Sequence, residues 1–223
     1  MPAFSVIVPT LDEVDRIAET VEHARRAFGP DAEILVVDGG SSDGTVDAVR
    51  TRATVMTSPR GRGTQLEAGA RRAAGDTLVF LHADTRVAAD AGSRIAEAVA
   101  RGVTAGCLRL AFADPGARYR LLAAAIDART RVFRTATGDQ VIFATRERYE
   151  RSGGIPALPI FEDVVWVRRL RRDGPFRRVE AEAVTSVRRW ERHGFLRTVA
   201  RHLFLRTAHA LGSDPERLAA RYR

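Results

Sequence analysis

Short apolar runs alternate with amphipathic segments along the first part of the chain. Because they are bounded by Gly, Pro, Asp or Ser, these runs predict four strands, at residues 4–8, 33–37, 54–57 and 77–81. Helices are expected between them, with Thr45 as the cap of the second and Gly75 at the end of the third. Alternation at this spacing predicts a mostly parallel sheet with right-handed crossovers. The expected fold class is α/β, with an open, doubly wound sheet and helices on both faces.

The second part of the chain has a looser, mixed pattern. It predicts helices at residues 91–101, 119–133, 146–152 and 195–211, and strands at residues 107–112, 141–143 and 183–187. The segment Gly138-Asp139-Gln140 is expected to open the strand at 141–143. A further apolar helix should begin at the acids Glu162 and Asp163. No repeat or low-complexity linker interrupts the sequence, which predicts a single domain over residues 1–223.

Two potential metal ligands follow the strand at residues 77–81. His82 and Asp84 are two positions apart, so on an extended chain their side chains face the same way and can share one divalent ion. Ligands of open α/β sheets bind at the carboxyl ends of the strands, where this pair is expected. The alternative is that Asp84 only caps a turn and that His82 is a core histidine.

Carboxylates also follow the first two strands. Asp12 and Glu13 come after the first strand and Asp38 after the second, so they should lie near Asp84 if the strands are neighbours. Carboxylates at such positions accept hydrogen bonds from a ribose or a base, while a metal at Asp84 would hold a diphosphate. The sequence thus predicts a nucleotide site at this edge of the sheet.

Residues that are missing exclude several classes of chemistry. All 36 basic residues are Arg, so a Schiff-base lysine, a P-loop lysine and a kinase lysine are excluded. The first turn contains no Gly-x-Gly-x-x-Gly, which argues against a dinucleotide-binding dehydrogenase. The single cysteine, Cys107, cannot form an internal disulfide. No apolar run could span a membrane and no basic signal peptide opens the chain, so a cytoplasmic location is expected.

The net charge of +8 is concentrated near the C-terminus, where residues 166–223 contain 15 Arg and 6 acidic residues. This asymmetry predicts an anionic partner, either a membrane surface or a phosphorylated ligand rather than nucleic acid. Residues 195–211 form a basic amphipathic pattern that can lie on anionic lipid. The alternative is an ordinary C-terminal helix packed on the core.

Several segments together resemble the family 2 glycosyltransferases of GT-A fold. Residues 6–13 (VIVPTLDE) and 36–45 (VVDGGSSDGT) are similar to the two nucleotide-binding segments of that family. Residues 80–84 (FLHAD) occupy the place of its metal-binding Asp-x-Asp, with His82 where the family has an acid. With Arg60 to Gly63 and Arg188-Arg189-Trp190, the chain resembles a bacterial subgroup labelled for arsenosugar biosynthesis.

The resemblance implies roles for individual residues. It implies nucleotide-sugar contacts for a set spread over the chain, namely Pro9, Thr10, Asp12, Glu13, Asp38, Gly40, Arg62, Gln65, His82 and Arg188. It implies Mn²⁺ or Mg²⁺ at Asp84 with His82, and a general base in the pair Glu162 and Asp163. For Asp163 the alternative is a helix cap with Glu162 exposed, and for Arg188 it is a solvated basic face.

The implied activity is inverting, metal-assisted transfer of a sugar from a nucleotide diphosphate, most often UDP in this family, to a hydroxyl acceptor. Residues 1–85 would form the nucleotide-binding half, and residues 86–223 the acceptor half with basic C-terminal helices. One alternative is a nucleotidyltransferase, although the basic, Gly-rich loop expected after the first strand is absent. Another is a non-enzymatic protein that binds nucleic acid or other anions, although only 7% of residues are aromatic.

Overall fold

The computed structural model describes residues 3–220, which form one mixed sheet flanked by helices. The eight strands of this part of the chain are β1 Phe4–Thr10, β2 Glu33–Asp38, β3 Thr54–Thr57, β4 Thr77–Phe80, β5 Thr85–Val87, β6 Ala105–Phe112, β7 Ile142–Thr145 and β8 Phe176–Thr185. The α-helices of this part are α1 Val14–Phe28, α2 Thr45–Val49, α3 Arg62–Arg72, α4 Ala91–Ala100, α5 Ala117–Phe133, α6 Arg146–Arg151, α7 Glu162–Arg172, α8 Arg188–His193, α9 Phe195–Ala210 and α10 Pro215–Ala220. Within residues 3–220, no helix is long and apolar enough to cross a membrane.

The central strands are apolar because both of their faces are covered by helices. Successive side chains of a strand point to opposite faces, so Val6 and Val8 of β1 enter one core cluster while Ile7 enters the other. Helices α1 and α4 cover the first face, and α3 and α7 cover the second. The predicted α/β layers with helices on both faces are confirmed.

The strand order is β3-β2-β1-β4-β7-β6-β8-β5. The pairs β3–β2, β2–β1, β1–β4 and β6–β8 are parallel, whereas β4–β7, β7–β6 and β8–β5 are antiparallel. The chain runs outward from β1 to β3 and then returns to the other side of β1 to form β4. Adjacent loops diverge at such a reversal, which opens a crevice at the carboxyl ends of β1 and β4.

The second half of the chain differs from the prediction in several elements. In place of the strand predicted at residues 183–187, the structure has a strand of ten residues, Phe176–Thr185. Its first part was not predicted, because its buried side chains alternate with Arg and Glu and leave no apolar run. Strand β5 and helices α8 and α10 were not predicted. The segment Gly138–Gln140 does not open a strand but forms a 3₁₀ turn, and Val141 follows with a positive φ of 49°.

Two predicted helix boundaries in the first half also need correction. Thr45 does not cap α2, because Gly44 is the capping residue and Thr45 is already helical. The Thr45 hydroxyl instead accepts a hydrogen bond from the Glu13 backbone N–H, and it joins the loops that follow β1 and β2. Helix α3 ends at Arg72 rather than at Gly75.

Candidate functional site

A polar cleft of about 290 Å³ lies at the carboxyl ends of β1 and β4. Three segments that follow strands line it, together with residues of α3, the 3₁₀ turn before β7, β8, α8 and α9: Pro9, Thr10, Leu11, Glu13, Arg60, Gly61, Arg62, Gln65, His82, Ala83, Asp84, Asp139, Thr185, Trp190 and His202. We call this cavity the polar cleft. It coincides with the crevice that the reversal of strand order opens between β1 and β4.

His82 and Asp84 both line the polar cleft. The intervening Ala83 and the preceding Leu81 are buried in the core. The chain is not extended here as predicted, because Ala83 and Asp84 lie in a turn closed by a 3.1 Å hydrogen bond from the Thr85 N–H to the His82 carbonyl. The turn, rather than strand alternation, brings both side chains to the cleft. His82 Nδ1 lies 3.1 Å from Asp139 Oδ1. A Cβ added at Gly138 would lie 2.4 Å from His82 Nε2, so the imidazole packs directly against the turn before β7.

The donors around the polar cleft fit a divalent ion. Residues 3–220 contain no preformed group of three or more His, Cys, Asp or Glu side chains that could hold a metal by themselves. His82 and Asp84, with Asp139 opposite, provide the imidazole and carboxylate donors that Mn²⁺ accepts. A diphosphate brings further oxygens, so a metal shared with a nucleotide needs few protein ligands.

Asp38 organises the loop after β2. Its carboxylate accepts hydrogen bonds from the backbone N–H groups of Gly40 and Ser41, each at 2.9 Å, and from the Ser41 hydroxyl. Asp12, exposed and with a positive φ of 52°, accepts from the Ser42 N–H at 2.9 Å. The Asp12–Ser42 bond ties the loops of β1 and β2 together. Neither Asp12, Asp38 nor Gly40 lines the polar cleft itself.

Gln65 and Thr10 meet beneath the polar cleft. Gln65 is buried, and its amide donates to the Thr10 and Val37 carbonyls at 2.9 and 2.8 Å. The amide therefore holds the ends of β1 and β2 together. Thr10 is 2% exposed, and its hydroxyl has no hydrogen-bond partner among residues 3–220. A buried, unsatisfied hydroxyl at a cavity wall can donate to a ligand.

Arg62 and Glu162 form an ion pair across the cleft floor. Burial acts to lower the pKa of Arg62, but the charges of Glu162 and Asp163 outweigh this effect and raise the pKa above its usual value. Glu162 is only 1% exposed, contrary to the exposed position in the helix-cap alternative. It lies behind Arg62 and lines neither the polar cleft nor the cavity described next.

Asp163 lies in the first turn of α7 and contacts the turn before β7. One carboxylate oxygen accepts from the Gly138 N–H at 2.7 Å and the other accepts from the Val164 N–H at 2.7 Å. The helix begins after Phe161, which has a positive φ of 63°, and the capping residue makes no side-chain hydrogen bond. Each oxygen of Asp163 retains a lone pair that can accept another hydrogen bond.

A second cavity of about 330 Å³ adjoins the polar cleft, and we call it the apolar cavity. Most of its lining is aliphatic or aromatic, from β6, α5, α7 and α9, and it includes Leu110, Phe112, Ile126, Val199 and Leu203. The two cavities share five lining residues, namely Arg62, His82, Asp139, Trp190 and His202. Asp163 lines only the apolar cavity.

Arg188, on α8, lines neither cavity but pairs with Glu13, which lines the polar cleft. Its guanidinium is 3.6 Å from Glu13 Oε1, and Glu13 also pairs with Arg16 at 3.0 Å. The adjacent Trp190 packs on Phe112, with ring centroids 5.7 Å apart, and lines both cavities. The side chain of Arg189, part of the same sequence motif, lies outside what the structure describes.

Several residues of the two cavities were not predicted from the sequence. Asp139, Trp190 and His202 line both cavities, and Arg129 and Arg206 line the apolar cavity. One local signal was available for Asp139, because Thr137-Gly138-Asp139-Gln140 has the spacing of a capping box, which the structure contains. No local signal marks Arg129 or Arg206, since only the packing of α5 against α9 brings them together.

Solved structures share this architecture at low sequence identity. A mannosyltransferase from Pyrobaculum calidifontis in complex with GDP-Man and Mn²⁺ matches with a TM-score of 0.67 and 24% identity, over 96% of this chain and 65% of that one. TarS from S. aureus in complex with UDP-GlcNAc matches with a TM-score of 0.64 and 17% identity, over 82% of this chain and 58% of that one. Glucosyl-3-phosphoglycerate synthase from Mycobacterium tuberculosis, in a complex that contains Mn²⁺ and UDP, matches with a TM-score of 0.57 and 20% identity, over 82% of this chain and 71% of that one.

Residues 5–124, more than half of the chain, match the family model described as glycosyl transferase family 2. The chain spans 65% and 58% of the lengths of the first two solved structures, so these likenesses establish its fold. The sheet has the architecture of those GT-A glycosyltransferases. The chain therefore belongs to glycosyl transferase family 2 and has the GT-A fold.

Proposed function

We propose that the protein transfers a sugar, with inversion, from a nucleotide diphosphate in the polar cleft to a hydroxyl acceptor in the apolar cavity. One observation carries the proposal: the two cavities meet at shared residues, and Asp163 lines only the second. A carboxylate on the acceptor side, at the border with the donor side, is suited to general-base catalysis. In this proposal residues 1–85 mainly bind the nucleotide and residues 86–223 mainly hold the acceptor, within a single domain.

The polar cleft supports binding of a nucleoside diphosphate. Asp38 and the loop it organises would contact the nucleoside, and the free hydroxyl of Thr10 would donate to the ligand. Arg60 lines the same cleft and would neutralise phosphate oxygens, whereas Arg62, already paired with Glu162, would donate hydrogen bonds to them. Asp84, with His82, would hold Mn²⁺ or Mg²⁺, and the ion would supply Lewis-acid stabilisation of the diphosphate charge.

The chain's own residues account for the proton and for the geometry of transfer. The acceptor oxygen forms a bond to the anomeric carbon while the bond to the diphosphate oxygen breaks on the opposite face, and its electron pair leaves with the diphosphate. Asp163 takes the acceptor proton. Glu162, paired with Arg62 and withdrawn from both cavities, is proposed to position that arginine rather than to accept the proton.

We propose a UDP-linked donor. Two of the three named structures contain a uridine nucleotide, and the third contains GDP-Man. The difference in melting temperature between samples with UDP and with GDP, each with Mn²⁺, tests the base. A larger stabilisation by GDP than by UDP would overturn this choice. The expected cytoplasmic location stays a prediction.

Peripheral contact with an anionic membrane is proposed through α5 and α9. Large apolar side chains exposed by 53% or more concentrate on these two helices, at Leu121, Val132, Phe133, Leu196, Leu203 and Phe204. Exposed arginines such as Arg120 and Arg197 lie on the same helices. Apolar side chains beside cations favour an anionic lipid surface. The protein is expected to sediment with phosphatidylglycerol vesicles but not with phosphatidylcholine vesicles. Failure to sediment with phosphatidylglycerol vesicles would refute the contact.

The substitution Asp163→Asn tests the proposed base. General-base catalysis contributes about 10²–10⁴-fold, so acceptor-dependent release of UDP should fall by that factor. UDP affinity in Mn²⁺ should stay near that of the wild type, because the donor binds before the base acts. The assay is UDP release from UDP-glucose or UDP-GlcNAc, with small molecules from a cell extract as the acceptor pool.

The matched control is Asp173→Asn, the same substitution at the exposed C-terminal end of α7. It should leave both the rate and the donor affinity unchanged. If Asp163→Asn transfers sugar at the wild-type rate, Asp163 is structural, and Glu162 becomes the candidate base. If the variant loses UDP affinity by the same factor as rate, the carboxylate acts on the donor instead.

A further inference from the structure

The apolar cavity is shaped for a ligand with an apolar body. Leu110, Phe112, Leu122 and Ile126 line one part of it, and Val199 and Leu203 of α9 line another. Its volume of about 330 Å³ falls within the range of pockets that bind small organic molecules. Burying apolar ligand surface against such walls releases about 25 cal/mol per Å². A free sugar, with hydroxyls on every side, would leave these groups unsatisfied.

Two arginines interrupt this apolar lining. Arg129 of α5 and Arg206 of α9 both line the apolar cavity, and within residues 3–220 neither forms an ion pair with a carboxylate. Arg129 makes one long hydrogen bond, 3.4 Å to the Gln140 side chain, and its Nε is buried without a partner. Burial and the nearby charge of Arg206 lower the pKa of Arg129 to about 10, and burial lowers that of Arg206.

The contrast with Arg62 shows what these arginines lack. Arg62, at the border of the same cavity, is neutralised by Glu162, whereas Arg129 and Arg206 are half-buried cations close enough to affect each other. The charge of Asp163, in the same lining, reaches both arginines, but among residues 3–220 it forms no ion pair with either. One carboxylate for two cations leaves an excess positive charge, which an anionic group bound between the arginines would stabilise.

We propose that the apolar cavity takes an anionic amphiphile as the acceptor: an apolar body packs between α5 and α9, an anionic group pairs with Arg129 and Arg206, and a hydroxyl faces Asp163. This proposal rests on the proposed function, because it names the class of acceptor for that reaction. The chemistry is shared by free small amphiphiles and by lipids with an anionic headgroup.

Two dyes of the same shape test the proposal on the full chain without a transfer assay. Anilinonaphthalene sulfonate carries an apolar body and one anion, and N-phenyl-1-naphthylamine has the same rings without the sulfonate. Both should bind with increased fluorescence, and Val199→Trp, which fills the cavity, should abolish both signals. UDP with Mn²⁺ should displace neither dye, because it occupies the polar cleft.

The charge recognition is tested by Arg206→Met, with Arg129→Met as a second variant if the first does not fold. Each should weaken binding of the sulfonate dye by about 10-fold or more and leave the uncharged dye unchanged. Arg217→Met, at an exposed arginine on α10, is the control and should change neither. Equal affinity for the sulfonate dye in wild type and variant would overturn anion recognition, and failure of both dyes to bind would overturn the apolar occupant.

Competing ligands distinguish a free small amphiphile from a membrane lipid as the acceptor. Displacement of the sulfonate dye by monomeric octanoate supports a free small acceptor, and displacement only by phosphatidylglycerol vesicles supports a lipid acceptor. Because dye binding needs no sugar transfer, the proposal can fail alone. A chain that binds neither dye but loses transfer on Asp163→Asn would keep the proposed function and lose the amphiphile.

Discussion

The polar cleft and the apolar cavity adjoin each other, yet they are built in different ways. The polar cleft lies at the ends of parallel strands, and its walls are short loops whose backbone groups are held by side chains such as Gln65. The apolar cavity lies between helices α5, α7 and α9 and strand β6, which are distant along the chain. The comparison teaches that strand ends arrange a site through local sequence, whereas a cavity between helices depends on tertiary packing.

Their arginines differ in the same way. Arg62 of the polar cleft has a buried carboxylate partner, and its pKa is raised by that partner against the effect of burial. Arg129 of the apolar cavity has no carboxylate partner among residues 3–220, and burial lowers its pKa to about 10. An arginine held in an ion pair by the protein has less charge to offer a ligand than one without such a pair.

The largest expected effect concerns metal-dependent UDP binding, which is proposed for the polar cleft and not for the apolar cavity. Asp84→Ala should abolish the metal-dependent part of UDP binding and leave the fold intact, because the residue follows β4 and lines the cleft rather than the core. Isothermal titration of UDP with and without Mn²⁺ measures this. The matched control, Asp90→Ala at the start of α4, should keep wild-type affinity. Unchanged UDP affinity of Asp84→Ala in Mn²⁺ would remove Asp84 from the site.

The next test concerns the turn that both cavities share. In Gly138→Ala the new Cβ would lie 2.4 Å from His82 Nε2, so the ring or the turn must move. We expect a loss of about 1–3 kcal/mol in the free energy of unfolding, as for other overpacked sites, and weaker UDP binding in Mn²⁺. Urea denaturation and titration calorimetry measure the two effects.

A double-mutant cycle isolates the clash. In a His82→Ala background the added methyl group meets no imidazole, so Gly138→Ala should cost much less stability than in the wild type. An equal cost in both backgrounds would place the constraint in the backbone of the 3₁₀ turn and not in the packing of His82.

A smaller effect is expected at the loop that organises the polar cleft. Asp38→Ala removes hydrogen bonds to two backbone N–H groups and one hydroxyl, so stability should fall by about 1–2 kcal/mol. UDP binding should weaken about equally with and without Mn²⁺, because the predicted partner is the nucleoside. Asp31→Ala, exposed before β2, is the control. A loss seen only with metal would show that Asp38 serves the metal instead.

The smallest effect lies beside the apolar cavity and depends on pH. His209 stacks on Phe161 with ring centroids 4.5 Å apart, and burial, followed by the charges of Arg168 and Arg206, lowers its pKa. The unfolded chain therefore binds this proton more readily, and stability is lost as the pH falls below about 6.5, the unperturbed value, toward the lowered pKa. Melting temperature should fall less between pH 7.5 and 5.5 in His209→Phe than in the wild type.

The control for this pH dependence is His23→Phe on α1, which should retain the wild-type difference between the two pH values. If His209→Phe also retains the full difference, the titration of His209 does not contribute to it. The acid sensitivity would then come from other titratable groups of the protein.

Prediction from the sequence succeeded where side-chain periodicity and strand ends coincide. The four strands β1 to β4 were located within a few residues, and His82 and Asp84 do line the polar cleft at the end of β4. They reach it through a turn rather than through the predicted extended chain. Strand β8 was mostly missed, because its exposed face is charged and its register shifts opposite Leu108 and Arg109. Half-exposed strands with charged faces resemble loops when the sequence is read alone.

The sequence by itself determined the α/β layers, the positions of the loops after β1 and β2 and the acidic pair at the start of α7, because each depends on spacing over a few residues. Tertiary structure alone decided which member of that pair faces a cavity: Glu162 is paired with Arg62, whereas Asp163 lines the apolar cavity. It also brought Arg129 and Arg206 together across α5 and α9. Their pairing has no local signature, because helix packing joins residues through shape and burial rather than through sequence spacing.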